Sequence, residues 1–306
     1  MRILVTGITG AIGSTLAPTL LAAGHEVIGF ARQGAVEDPA GVPILAGDAI
    51  SGDGLDDALA EVDTAYYLIH SMEPSSPDLT FAERERVAAV NFAAAAARAH
   101  VGRIVYLGGL VPRYGQPSPH LASRLAVERL LLSATPNSVA FRASIVVGAR
   151  PRAFRFLVRL VERMPVLLIP AWRLRRTAPI DERDVIGCLA AAAESPDVSG
   201  LSLDLAGPET LTYGALLERI ADHLLLSRPV LNIPYFTVTP VASRVSSLIA
   251  GEQHALIGPL MDGLRYDLVP RDERAFELLG VRRHSLDTAI ERALRDLEAV
   301  ESLHAR

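Results

Sequence analysis

Three glycines stand at even spacing near the start of the chain, in Gly7-Ile8-Thr9-Gly10-Ala11-Ile12-Gly13. What flanks them gives the spacing its meaning. A β-branched run over 2–6 precedes the glycines, and a helical pattern over 14–23 follows, ended by Gly24. A glycine-rich turn between a strand and a helix collects backbone N–H groups and the positive end of a helix dipole at one point, an arrangement that suits a pyrophosphate. One glycine permits the tight turn, one lets the backbone approach the phosphates, and one lets helix and strand pack closely. Gly7, Thr9, Gly10, Ala11, Ile12 and Gly13 are therefore expected to hold the phosphates of a dinucleotide.

The second strand, 26–30, runs into Ala31-Arg32. A carboxylate near this point would hold the ribose hydroxyls of NAD, but the next acid is Glu37. Arg32 suits a 2′-phosphate and can stack on adenine, so the expected cofactor is NADP, with NADPH preferred over NADH. Gly47-Asp48-Ala49 follows the third strand. There Asp48 and Ala49 suit an adenine contact, with Asp48 accepting from the exocyclic amine, or else Asp48 caps a helix.

These residues need a scaffold of alternating elements, and the chain supplies one. Strands are expected at 43–45, 64–69, 103–107 and 138–147, and helices at 54–61, 81–100 and 120–133. Strands alternating with helices imply a parallel sheet covered on both faces. The expected fold class is α/β, a Rossmann-type doubly wound parallel sheet with a smaller C-terminal α/β substrate lobe. The boundaries are 1–150 for the dinucleotide-binding domain and 151–306 for the lobe, which is expected to return a strand to the main sheet. The alanine run 93–97 falls inside a helix, where small side chains permit close approach to the sheet. Leu286, Ile290, Leu294 and Leu297 lie at helical spacing near the C-terminus.

Half of the residues are hydrophobic and 21% are charged, which fits a sizeable core and excludes a disordered chain. The mean hydropathy is positive, yet no run approaches the roughly 18 residues that span a bilayer. The apolar stretch 3–5 is too short for the core of a signal peptide. A net charge of −5 argues against a general nucleic-acid binder. Cys188 is the only cysteine, so no internal disulfide forms, and its apolar surroundings suggest a buried hydrophobe. A cytoplasmic location is expected. Against this acidic background, residues 150–176 carry eight arginines and one acid, Glu162, a local charge of +7. An anionic substrate, a membrane surface, an acidic partner and a solvated helix face all fit that segment. Trp172 among the arginines suits either a pocket wall or packing.

The loop Thr6-Gly7-Ile8-Thr9-Gly10-Ala11-Ile12-Gly13 resembles the T-G-x-T-G-x-x-G of atypical and extended short-chain dehydrogenase/reductases. Tyr66–Met72 and Arg103–Leu110 resemble the fourth and fifth strands of an NAD(P)H-binding subgroup near the NmrA-like proteins and the complex I accessory subunit. Phe141–Gly148, Pro179–Val185 and Gly207–Thr212 resemble later motifs, so the resemblance spans about 1–290. It implies cofactor contacts at Leu68, Ile69, His70 and Ser144. Typical members use a Ser or Thr after the fifth strand and a Tyr-x-x-x-Lys pair. Here Gly108 and Gly109 stand at the first position, His120 at the Tyr position and Arg124 at the Lys position. His120 and Arg124 share one helix face. His120 can act as general acid, Arg124 can hold a ribose or phosphate, and His70 is the second candidate for the acid. Tyr67, Ser71, Tyr106 and Tyr114 are further hydroxyls near strand ends. Two readings follow. One is an NADP(H)-dependent oxidoreductase acting on a carbonyl or conjugated double bond of a hydrophobic small molecule. The other is a non-catalytic NAD(P)H-binding redox sensor or assembly factor. A nucleotide-sugar epimerase or dehydratase fits less well, because such enzymes keep Tyr-x-x-x-Lys. A homodimer is an expected assembly.

Overall fold

Alternate residues along each short apolar run are buried on opposite sides of one sheet, the consequence of the two-residue period of a strand. In β1 (Arg2–Thr6), Ile3 and Val5 enter one core while Leu4 enters the other. The computed structural model describes residues 1–32, 41–69, 79–164, 166–169, 171–228, 230–232 and 263–299. The first half also contributes β2 (Glu26–Ala31), β3 (Ile44–Ala46), β4 (Thr64–Tyr67), β5 (Arg103–Gly109) and β6 (Val139–Ala143). Then come the two- to four-residue strands β7 (Val146–Val147), β8 (Leu167–Ile169), β9 (Arg176–Thr177), β10 (Ile180–Asp181) and β11 (Ser202–Leu205). The main sheet has seven parallel strands in the order β11-β6-β5-β4-β1-β2-β3, a Rossmann-type α/β fold. Central β4 is buried along its whole length, as expected where helices cover both faces.

One face of the sheet is covered by α1 (Ala11–Ala22), which contributes Leu16 and Leu20 to the same core as Ile3 and Val5. The other face is covered by α2 (Leu55–Leu59), α3 (Phe81–Arg98) and α4 (Pro119–Ala134). The alanine run lies in α3, with Ala95 and Ala96 fully buried. Downstream, α5 (Arg152–Arg163) packs in a separate core. The first face is completed by α6 (Glu182–Ala191), where Cys188 is fully buried and its thiol is pushed up to about 12 by desolvation. The separate core also holds Trp172, α7 (Tyr213–His223) and, after the short α8 (Ala275–Leu278), the apolar stripe of α9 (Leu286–Glu298). Among the described residues no helix is long and apolar enough to cross a membrane.

Two elements differ from the sequence expectation. The segment 138–147 is not one strand. β6 ends at Ala143, Ser144 N–H donates to the Leu205 carbonyl, and β7 then pairs with β10. The chain thus leaves the main sheet after Ser144, whose N–H makes the last bond to β11. The first helix begins at Ala11 and includes Gly13. Glycine is unfavourable inside a helix, but a Cβ at Gly13 would stand 2.4 Å from the Gly7 carbonyl oxygen, so packing overrides propensity there.

The fully buried Ile290 anchors α9 to the second core. Ile290→Ala should lower unfolding free energy by about 2–5 kcal/mol in a denaturant titration.

Candidate functional site

The turns after β1, β2 and β3 and the ends of β4, β5 and β6 open on one edge of the sheet, where ligands bind in doubly wound folds. They line a cleft of about 1300 Å³. That exceeds the roughly 300–1000 Å³ of a drug-sized site and leaves room for a dinucleotide and a second molecule. The glycine loop, Arg32, Asp48, Ala49, Leu68, Ile69, His120, Arg124 and Ser144, which the sequence singled out, line this cleft, whereas Tyr67, Tyr106 and Tyr114 do not. His70 and Ser71 lie outside the described residues.

The glycine loop is a cradle that side chains would fill. Gly7 has φ +67°, and a Cβ on it would sit 2.7 Å from the Leu68 carbonyl oxygen. Gly10 caps α1 without a side-chain hydrogen bond, and no acid stands in the first turn. By contrast, Thr80, Ser118 and Asp181 cap α3, α4 and α6 with their side chains. The first N–H groups of α1 have no partner within the helix and face the cleft, which fits a pyrophosphate. In the turn after β3, Asp48 Oδ1 accepts from Ile50 N–H at 2.7 Å, so the carboxylate shapes its own turn. It does not cap α2, whose N-cap is Gly54. Asn91 Nδ2–H donates to the Ala49 and Ile50 carbonyls at 3.1 and 2.8 Å and pins that turn to α3.

His120 and Arg124 come together on the cleft side of α4. The His120 ring is half-buried and packs on Phe81 with centroids 5.0 Å apart. Arg124 is 7% exposed, and burial pulls its guanidinium down to about 10, so it stays charged at neutral pH. At the end of β5, a Cβ on Gly108 would meet the Tyr106 ring at 2.9 Å. The ring thus occupies the place of a side chain there. Tyr106 and Tyr67 are core residues and not strand-end donors. Both are almost fully buried, and burial holds both hydroxyls well above the usual tyrosine range. Tyr114 is 80% exposed and outside the cleft.

Of the second wall, the sequence marked Ser144 and the arginine-rich segment, but not Thr177, Glu182 or Tyr213. Ser144 and Thr177 hydroxyls lie 3.3 Å apart, and Tyr213 stands beside Thr177 with its hydroxyl pushed up to about 12 by burial. Glu182, at the start of α6, accepts from Thr15 Oγ1–H at 3.2 Å, and burial raises its carboxyl. Of the arginine-rich segment, Arg150, Arg152 and Arg155 line the cleft, and Arg150 donates to Ser14 Oγ at 2.8 Å. Phe154, Leu157, Val158 and Val161 form the buried stripe of α5. Trp172 packs edge-on against Tyr213 in the core, with centroids 6.0 Å apart, and does not line the cleft.

The model of the NAD-dependent epimerase/dehydratase family matches residues 3–165, more than half of the chain. The chain belongs to this family. Its members are extended short-chain dehydrogenase/reductases, and the fold found here is theirs. Among solved structures, UDP-glucose 4-epimerase of Thermotoga maritima superposes with a TM-score of 0.76 at 15% identity, covering 98% of this chain and 100% of that one. UDP-glucuronic acid 4-epimerase of Bacillus cereus, bound to UDP-glucuronic acid and NAD, gives 0.73 at 17% identity over 98% and 100% of the two chains. At these identities the likeness shows the fold. Curated relatives from Mycobacterium tuberculosis and Mycobacterium bovis, both uncharacterized, are 28% identical over 86% of this chain. The chain spans only 27% of their length.

Gly13→Ala should abolish dinucleotide binding in titration calorimetry, because its Cβ would meet backbone that has no room to move. Gly187→Ala in α6, outside the cleft, where a Cβ meets only the Val281 side chain at 3.4 Å, should leave binding intact.

Proposed function

We propose that the chain is an NADP(H)-dependent oxidoreductase that reduces a carbonyl or conjugated double bond of a hydrophobic small molecule. The observation that carries this reading is the continuity of the cleft. One end is the uncapped glycine loop with Arg32, the middle is His120 and Arg124, and the far wall includes Ile145, Phe156 and Leu264. Residues 1–150 hold the cofactor in this reading, and residues 151–306 supply the substrate lobe.

The loop Gly7–Gly13 binds the pyrophosphate through backbone N–H groups. Arg32 binds the 2′-phosphate, Asp48 and Ala49 line the adenine end, and Leu68, Ile69 and Ser144 flank the nicotinamide end. When bound, NADPH supplies the hydride. The Arg124 guanidinium holds the nicotinamide-side ribose, the task of lysine in the Tyr-x-x-x-Lys pattern. The His120 imidazole gives its proton to the substrate as charge develops there, with His70 as the second candidate. The apolar far wall excludes water around that proton. The nucleotide-sugar chemistry of the solved relatives is not carried over, because the Tyr and Lys positions here hold His120 and Arg124.

A second reading, a non-catalytic NAD(P)H-binding redox sensor, is favoured by one observation. Tyr106 fills the place of a side chain at Gly108, so the hydroxyl that typical members carry there is excluded sterically.

Calorimetry with NADPH and NADH, followed by stopped-flow hydride loss against quinones, enones and ketones, separates the two. A reductase should turn over at least one class, and His120→Ala should lower its rate about 10²- to 10⁴-fold. Tight binding without turnover across the panel supports the sensor. Arg32→Ala should weaken NADPH about tenfold or more, the scale of a lost charge-assisted hydrogen bond, and leave NADH nearly unchanged. Equal weakening of both removes the NADP assignment.

A further inference from the structure

Glu85 sits on the buried face of α3 in step with Ala88, Ala89 and Phe92, and it does not line the cleft. Its side chain is 4% exposed. Ser123 Oγ–H donates to its Oε2 at 3.0 Å, and its Oε1 lies 3.5 Å from Arg124 Nε. On another side, Arg124 Nη1–H donates to the Tyr106 oxygen at 3.5 Å, while the Tyr106 hydroxyl donates to the Arg124 carbonyl at 3.3 Å. Two guanidinium nitrogens are therefore engaged away from the cleft that Arg124 lines. A guanidinium is a rigid plane, so fixing two of its nitrogens fixes the third.

We propose that Glu85 is the positioning residue for Arg124, holding the Nε edge from behind so that Nη2 is presented to the ribose beside the nicotinamide. This rests on the cofactor reading proposed above. A flexible ammonium needs no such support, whereas a guanidinium has to be aimed.

The arrangement has a pH signature. Burial raises the Glu85 carboxyl to about 7, against the lowering by Ser123 and by Arg84 on its own helix. Arg124 from α4 stays charged, and Tyr67 of β4 and Tyr106 of β5, which also face Glu85, stay neutral. The ion pair is present above pH 7 and is lost as Glu85 takes up a proton below it.

The test is calorimetric titration of NADPH at a series of pH values from pH 6 to pH 8 into the wild type, Glu85→Gln and Ser123→Ala. Adenosine 2′,5′-bisphosphate, which lacks the nicotinamide-side ribose, serves as the second probe. At pH 8 Glu85→Gln should bind NADPH about tenfold more weakly than the wild type, the scale of a charge-assisted hydrogen bond. At pH 6 the two should converge, since glutamine mimics the protonated acid. Ser123→Ala should move the wild-type midpoint to higher pH. The bisphosphate should bind all three proteins alike at each pH. Equal NADPH affinity of the wild type and Glu85→Gln at pH 8, with the bisphosphate bound normally, overturns the positioning role and leaves the cofactor reading standing. Failure of the wild type to bind either probe overturns both. Should Glu85→Gln not fold, an unmoved midpoint in Ser123→Ala is enough to reject the proposal.

Discussion

Backbone meets backbone where the turn after β1 touches the end of β4, and there is no space between them for a side chain. A Cβ at Gly7 would press on the Leu68 carbonyl oxygen at 2.7 Å, and one at Gly13 would press on the Gly7 carbonyl oxygen at 2.4 Å. With those atoms absent, α1 starts directly above the sheet, its first N–H groups open to the cleft. β1 lies between β2 and β4 in the sheet order, so the strand sequence reverses beside it. That reversal is where a doubly wound sheet leaves a crevice between helices on opposite faces. The cleft, its glycine-loop end and the distance from that end to α4 all follow from this contact.

The far side of the sheet depends on buried charges that find partners. An unpartnered buried charge costs several kcal/mol, so each such group dictates what its neighbours must be. Glu128 on α4 accepts two hydrogen bonds from Arg142 of β6, at 2.8 and 2.5 Å, and a third from Ser202 of β11 at 2.8 Å. Asp204 lies 3.8 Å from the same arginine and accepts from the Arg271 backbone N–H at 2.6 Å. Arg271 in turn donates to the Val111 and Pro112 carbonyls beyond β5. One network thus ties α4, the sheet edge and the C-terminal segment together, and it fixes the helix that carries His120 and Arg124. Glu85 and Ser123 brace the same helix from α3.

The sheet, the glycine loop and most of the cleft were legible in the sequence because they rest on local rules. Strand runs, turn glycines and the four-residue spacing of His120 and Arg124 are properties of neighbouring residues, and the cleft gathers what they marked. Where local rules misled, long-range packing was the reason. The 138–147 run reads as one strand by residue type, but its partners change after Ser144, and a change of partner leaves no trace in hydropathy. Tyr106 is a strand-end hydroxyl by position, yet the glycine two residues on gives its ring room to turn into the core.

By itself, then, the sequence determined the α/β alternation and the glycine turn between a strand and a helix, since both are written in residue type and spacing. Only the tertiary structure decided that Glu85, Glu182 and Tyr213 stand at or behind the cleft, because they come to it from α3, α6 and α7, far apart along the chain. Glu85 did leave one sequence signal, an acid in helical step with buried alanines and a phenylalanine. Its partner Arg124 lies 39 positions away on another helix. Whether such an acid is braced or exposed depends on which helix packs against it, and helix packing is a property of the folded molecule.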